Sequence, residues 1–426
     1  MMDLSQILNS TANCPCGREH TIDVKAVEIG SGYLEKVGEL LEKHGFPKRI
    51  LVVSDNNAMR VSKGILDNLM AHGFVFDARI YDNMRTADIK EVEEIEALCP
   101  GVDGVLAIGT GSIDDICRYA AARQGKRFAI FGTAPSMDGY ASDGAPITEG
   151  AFKNTCQAKQ PEIIIADTKI LAESPAELKS AGFGDMIAKC VGLVDWRVSH
   201  ILTGEYYCEN IANLTREAVR RIIALADKVT LNNEETAGAI MEALIFTGIA
   251  MKMAATSRPA SGCEHIISHF WESKKWEKGI ISDYHGKKVG VATLMVAKTY
   301  HKMALLESIK AHKENINWEE VKAAYGENLA PGMMKLNNPN VIDGVDPKVF
   351  EEKWQEIRQI IKEELPSYEE LLRLFKLAGA ATTIEEISVS PELCRLAYTY
   401  HPFMRHRISL MRLRWMFDYP TEYTED

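Results

Sequence analysis

The chain has 426 residues, 46% hydrophobic and 26% charged, which is enough for two or three domains with sizeable cores. Its 60 acidic and 49 basic side chains leave a net charge of -11, which argues against the basic face that nonspecific nucleic-acid binding needs. No apolar run approaches the roughly 18 residues of a membrane span, Met1 to Ser10 lacks the features of a signal peptide, and nine scattered cysteines suit a reducing cytoplasm.

In chain order, strand-like runs fall at Ala26 to Ile29, Ile50 to Ser54, Val75 to Ile80, Val105 to Ile108, Phe128 to Phe131 and Glu162 to Ala166. Between them lie helical patterns at Tyr33 to His44, Met59 to Ala71, Ile89 to Leu98 and Ile113 to Arg123. Repeated β-α units predict a mainly parallel sheet covered by helices, with ligands beyond the carboxyl ends of its strands. After about Asp167 helical patterns dominate, at Pro175 to Lys179, Asp185 to Ser199, Leu214 to Lys228, Glu235 to Thr256 and Val289 to Leu306. Further ones follow at Trp318 to Tyr325, Pro347 to Glu364, Tyr368 to Ala378 and Pro391 to Tyr398. The expected architecture is an α/β domain over residues 1–170 and an all-helical domain over 171–426, with the active site in the cleft between them. The tail from Tyr419 onward reads as frayed or packed on a partner.

Two strand-to-helix turns carry the strongest chemical signal. Gly109-Thr110-Gly111-Ser112-Ile113 follows one apolar run, and Thr133-Ala134-Pro135-Ser136 follows another. Such a turn lets backbone amides approach a phosphate while the helix N-terminus favours its charge. The spacing differs from the common dinucleotide fingerprint, since Asp114 stands where its last glycine would, and from a Walker A loop, since no Gly-Lys-Ser/Thr follows. Asp55, the acid closing a good strand, comes before the glycine turn instead of after it. The turns therefore predict a nucleotide-like site in an unusual order.

In the helical half, Asp185 follows two small residues where a helix is expected to start, which also suits a plain N-cap. His265 and His269 sit one turn apart, and His285 precedes another helix. Two imidazoles and a carboxylate suit zinc, iron or nickel with positions left for substrate. A zinc-peptidase reading fails because Ile266 occupies the place of the general-base glutamate. Cys14-Pro15-Cys16 with His20 offers at most three metal ligands and no second cysteine pair, so it reads as half a metal site or a turn.

Taken together, GTGSIDD (109–115), GTAPSMDGYAS (132–142), GFGDMIAK (182–189), SRPASGCEHIISH (257–269) and HGKKVGVAT (285–293) resemble the sn-glycerol-1-phosphate dehydrogenases. These belong with the iron-containing alcohol dehydrogenases, glycerol dehydrogenases and dehydroquinate synthases. The resemblance runs from about Val27 to the end of the chain. It implies a dehydroquinate synthase-like fold, an α/β dinucleotide-binding domain followed by an all-α metal- and substrate-binding domain. It implies Asp185, His265 and His285 as ligands of one divalent metal (zinc, nickel or iron), with His269 and Asp138 turned to the substrate and to catalysis. Gly109, Thr110, Gly111, Ser112, Ile113, Thr133, Ala134, Pro135 and Ser136 would cradle NAD(H) or NADP(H), with Ser142 nearby and Asp55 on the adenosine ribose.

The implied reaction is reduction of dihydroxyacetone phosphate to sn-glycerol 1-phosphate. Lys189 and Arg258 are the candidate cations for the substrate phosphate. A homo-oligomer, dimer or larger, is also implied, as is a lineage role for the segment from Cys14 to His20. The alternatives are a glycerol dehydrogenase acting on an unphosphorylated polyol, a dehydroquinate synthase-like lyase, and a silent scaffold. Asp185 argues against the lyase, whose branch usually has Glu there, and the complete ligand set argues against the scaffold.

Overall fold

The computed structural model describes residues 4–150 and 152–420. A short helix α1 (Leu4–Thr11) precedes β1 (Ala26–Gly30), α2 (Val37–Lys43), β2 (Arg49–Asp55), α3 (Asn56–Val61), α4 (Ile65–Ala71) and β3 (Val75–Tyr81). Then come α5 (Ile89–Leu98), β4 (Gly104–Gly109), α6 (Gly111–Arg123) and β5 (Arg127–Gly132). A hairpin of β6 (Gly144–Glu149) and β7 (Phe152–Gln157) leads to β8 (Ile163–Asp167). Six strands form one parallel sheet in the order β1-β8-β5-β4-β2-β3. The inner strands β2, β4, β5 and β8 read as continuous apolar runs because helices cover both faces of the sheet.

The sequence runs mark strands where the sheet has them, each end within one residue, with Glu162 lying just before β8. The β6–β7 hairpin is new. Pro146, Lys153 and Asn154 interrupt its apolar pattern, and apart from a single bridge between Thr148 and Asp88 it pairs with itself, so no buried-strand signal exists there. The helix expected over Met59 to Ala71 is two, α3 and α4, with Gly64 in the left-handed region between them (φ 94).

Chain direction fixes the ligand crevice. From β2 the chain goes outward to β3, then crosses back to β4 on the other side of β2. The order reverses between β2 and β4, and ligands of such sheets bind there, beyond the strand C-termini. Both glycine turns and Asp55 lie at that edge.

After α7 (Thr168–Glu173) the main helices are α8 (Ala176–Thr203), α9 (Glu209–Ile223), α10 (Glu234–Ala254), α11 (Cys263–Trp276), α12 (His285–Ala304) and α13 (Trp318–Leu336). The remaining helices include 347–352, 354–364, 368–377 and 391–400. Among the described residues this half contains no strand, only an isolated bridge between Ala311 and Phe417. The separate patterns at Pro175 and Asp185 are one 28-residue helix, α8, so Asp185 is a mid-helix residue and not an N-cap. Contrary to the expectation that no apolar run nears a membrane span, helix α10 is long and apolar enough to cross one by length and composition, but 78% of its apolar window is buried in the core. Its Ala237, Met241, Ile245 and Ile249 join the apolar core on one face of the sheet, while Ile240, Ala243 and Leu244 pack into the core of the helical half. One helix thus ties both halves together. Of the tail, residues 421–426 lie outside the described residues.

Candidate active site

Glycines in α8 bring three segments together. A Cβ on Gly182 would stand 2.0 Å from the Pro135 carbonyl oxygen, so only glycine lets the second turn rest on α8. The residue just before Gly182, Ala181, meets the start of α12, where a Cβ on Gly286 would stand 2.0 Å from the Ala181 carbonyl oxygen. These close approaches deliver Asp185 of α8 and His285 of α12 to the mouth of the sheet crevice.

Helix α11 supplies His265, and its first turn is fixed from behind. Asp195 accepts the Cys263 N–H at 2.8 Å, the Tyr300 hydroxyl at 2.6 Å and the Leu410 N–H at 2.9 Å, which leaves it fully engaged. Glu264 accepts the Gly262 N–H at 2.8 Å and pairs with His265 Nδ1 at 2.6 Å. The opposite nitrogen, Nε2, lies 3.5 Å from Asp185 Oδ1. One ligand atom from each of Asp185, His265 and His285 falls within 4.8 Å of the others. The His265 and His285 ring centroids are 5.2 Å apart. Three protein ligands of mixed N and O character, one with its far nitrogen held by a carboxylate, fit a divalent metal site with open positions.

The electrostatics follow from burial against this charge. Burial lowers the His265 pKa, but the Asp185 and Glu264 carboxylates outweigh it and hold the ring at about 9. Burial pushes His285 down to about 3, and it pushes His269 well below its ordinary value, helped by Arg405. The Asp185 carboxyl lies far below the usual range because Lys189 and the imidazoles outweigh its burial. His269 belongs to the same group, 5.8 Å from His285 centroid to centroid.

A cleft of about 240 Å3 connects this cluster to the sheet edge. Thr110, Gly111 and Ser112 of the first turn line it, with Ser136, Asp138 and Ser142 of the second. Thr110 makes no side-chain cap to α6, so the first-turn amides face the cleft uncapped. The other turn residues stand behind. Thr133 N–H bonds the Gly109 carbonyl at 3.0 Å, Ala134 accepts the Tyr140 hydroxyl at 2.7 Å, Pro135 rests on Gly182, and Ile113 is buried. Arg118, ion-paired with Asp114, bonds the carbonyls of Ser142 and Gly144, both at 2.8 Å, and ties the second turn to α6.

A family model described as iron-containing alcohol dehydrogenase matches residues 28–175. A glycerol-1-phosphate dehydrogenase [NAD(P)+] of Halalkalibacterium halodurans is 32% identical, over 74% of this chain and 83% of that protein. One of Bacillus subtilis is 33% identical, over 77% and 86%. The chain belongs to the glycerol-1-phosphate dehydrogenase family. A solved alcohol dehydrogenase from a halo-thermophilic archaeon of a Red Sea brine pool shares the fold at TM-score 0.63 and 16% identity, over 92% of this chain and 95% of that one.

Within this glycerol-1-phosphate dehydrogenase framework, three of the expected contact residues already have protein partners. Lys189 is buried with its Nζ 2.6 Å from both Asp138 and Asp185, so it is neutralised and binds the two carboxylates together. Arg258 points away from the cleft. It pairs with Glu205 at 2.5 Å and donates to the Ile408 carbonyl at 2.7 Å, a structural tie to the C-terminal segment. Asp55 caps α3 through the Ala58 N–H at 2.8 Å and accepts the Met84 N–H at 3.2 Å, so each carboxylate oxygen already has a backbone partner.

The cations that do line the cleft are Arg85, which sits against the Tyr284 ring, and Lys153, Lys288, Arg405 and Arg407. Lys153 and Lys288 share Glu272 at 2.9 and 3.2 Å. Arg407 bonds Ser257 Oγ at 2.6 Å and the Ser261 carbonyl at 2.7 Å, and Arg405 bonds the carbonyls of Met404 and Lys153. Neither Arg405 nor Arg407 has a carboxylate partner among the described residues. The sequence held the pair in plain view, but no periodicity or spacing connects residue 405 to residue 265.

Proposed function

We propose that the protein catalyses the reversible, NAD(P)H-dependent reduction of dihydroxyacetone phosphate to sn-glycerol 1-phosphate. Asp185, His265 and His285 would hold the divalent metal, for which zinc, nickel and iron all suit the donor set. The observation that carries the phosphorylated substrate is the pair Arg405 and Arg407, partly buried without a carboxylate in the same cleft as the three metal-competent side chains. Guanidinium groups desolvated without a counter-ion favour an incoming phosphate.

When bound, the metal polarises a carbonyl oxygen and the nicotinamide supplies the hydride. The residues divide the remaining work. The amides of Thr110, Gly111 and Ser112 would meet the dinucleotide diphosphate at the start of α6. Ser136 and Ser142 stand beside that path, and Asp55 lies at the β2 edge where a ribose would lie. Glu264 accepts a hydrogen bond from the Nδ1–H of His265 and thereby leaves the Nε2 lone pair to face the site. Burial and the neighbouring Asp185 carboxylate push the Asp138 carboxyl up, against the pull of Lys189. That environment suits Asp138 to bonding a substrate hydroxyl. His269, kept neutral by burial, has an Nδ1 without a hydrogen-bond partner among the described residues and would exchange a proton with the reduced oxygen.

The test compares NADH oxidation with dihydroxyacetone phosphate and with dihydroxyacetone, using metal-loaded wild type and Asp185→Ala. Turnover of the phosphorylated ketone alone, abolished in the variant, is expected. Equal turnover of both ketones would move the reading to a glycerol dehydrogenase, and turnover of neither would reject a ketone reductase.

A further inference from the structure

A second group of metal-competent side chains lies away from the cleft. Cys14, Cys16 and His20 sit on the segment after α1, and Cys208 immediately precedes α9. One ligand atom from each of the four lies within 4.8 Å of the others. The sequence shows three of them. The fourth comes from nearly two hundred residues away, and none of the four lines the cleft.

The geometry is that of a coordination shell. Cys14 and Cys208 sulfurs are 3.4 Å apart, and His20 Nε2 lies 3.3 Å from the Cys16 sulfur and 3.7 Å from that of Cys208. A tetrahedral zinc ion, with Zn–S near 2.3 Å and Zn–N near 2.05 Å, needs edges of about 3.8 Å between sulfurs and about 3.6 Å from sulfur to nitrogen. A few tenths of an ångström of expansion would admit it.

The surrounding contacts suit thiolates and a neutral imidazole. His20 Nδ1 bonds the Met253 carbonyl at 2.9 Å; an acceptor there requires the proton on Nδ1 and turns the Nε2 lone pair to the sulfurs. Asn210 donates its amide to the Cys14 sulfur at 3.3 Å. The Tyr206 hydroxyl lies 3.4 Å from the Cys16 sulfur, with the Arg18 guanidinium 3.5 Å over the Tyr206 ring centroid. His20 and Cys208 are buried, and Cys16 forms the accessible corner.

We propose that Cys14, Cys16, His20 and Cys208 form a structural zinc site that ties the N-terminal segment to the start of α9 and, through His20, to the end of α10. Four protein ligands leave no open position, which separates it in kind from the three-ligand set in the cleft. The tie is useful because a short N-terminal segment buries little apolar surface of its own, and metal binding supplies folding free energy in its place. This inference does not depend on the substrate proposed for the cleft.

The test counts zinc in His265→Ala, whose cleft set is broken, purified without chelator and without reducing agent. One zinc per chain is expected, falling to none in His265→Ala/Cys208→Ser. Cobalt in its place should give thiolate-to-metal charge-transfer absorption that weakens in Cys16→Ser. If Cys208→Ser does not fold, Cys16→Ser keeps the question open to measurement, because it alters only the accessible corner; it should lose zinc to a chelator concentration that leaves His265→Ala loaded. A folded His265→Ala chain with reduced thiols that takes up no added zinc would overturn the site. So would a Cys14–Cys208 disulfide found by peptide mass mapping of the unreduced protein.

Discussion

Glu264 pairs with His265 Nδ1 at 2.6 Å, on the far side of the ring from Asp185. An ionised carboxylate can only accept, so this bond fixes the tautomer and aims Nε2 into the site. Glu264→Gln retains the shape and loses the charge. It should weaken metal affinity about 10- to 100-fold, with turnover largely restored at excess metal. Titration of the apo-protein with zinc or nickel checks this; an unchanged dissociation constant would mean that Glu264 does not govern the ligand.

Arg405 and Arg407 offer a test that separates phosphate recognition from ketone reduction. If they hold the substrate phosphate, Arg405→Ala and Arg407→Ala should each raise KM for dihydroxyacetone phosphate by about 10-fold or more, since a charged hydrogen bond is worth about 1.5–3 kcal/mol. Any residual rate with dihydroxyacetone should stay the same. Equal loss with both ketones would show that the arginines only support the fold of the C-terminal segment.

Lys288 sets an alkaline limit. Burial lowers its pKa to about 8, against the pull of Glu272. Below that pH it is an ammonium and would aid an anionic substrate; above it the charge is lost in the free enzyme. The kcat/KM for the phosphorylated ketone should therefore fall as pH rises through about 8, and Lys288→Arg should move that limb upward. A limb that stays in place in Lys288→Arg would assign it to another group.

Much of this was legible in the sequence for a physical reason. The inner strands are buried on both faces, so they appear as unbroken apolar runs, and the glycine turns follow from sheet topology. The sequence pattern sets Asp185 at a helix start, whereas it lies within α8, because Gly182 and Gly184 look like helix breakers. They are tolerated in α8 because the Pro135 carbonyl and the start of α12 occupy the space of their missing side chains. The roles of Lys189 and Arg258 depend on partners distant in the chain, Asp138 and Glu205. The same holds for Cys208, Arg405 and Arg407, whose neighbours no local spacing reveals.

The close approach at Gly182 has a measurable cost. Gly182→Ala would push a methyl into a backbone oxygen that no side-chain rotation can relieve. Overpacking of this kind costs about 1–3 kcal/mol, so a lowered Tm and a raised KM for the dinucleotide are expected together, because the displaced turn borders the cofactor path. Gly344→Ala meets nothing within 4 Å and serves as the neutral control. A Gly182→Ala enzyme with normal Tm and normal cofactor KM would contradict the argument.

His401 links acid stability to the helical core. It is fully buried, its Nδ1 bonds the Ala397 carbonyl at 2.8 Å, and burial, aided by the Arg414 charge, lowers its pKa to about 3. An unfolded histidine titrates near 6.5. Between those values the unfolded chain binds a proton that the folded chain refuses, so stability rises with pH across the window and is lost as pH falls below about 6.5. The slope from this one group is at most about 1.4 kcal/mol per pH unit. In His401→Gln that contribution disappears, so the Tm difference between wild type and variant should be constant above pH 7. It should shift steadily against the wild type between pH 6.5 and 5. A difference that stays constant down to pH 5 would show that the folded chain accommodates a charged His401 beside Arg414.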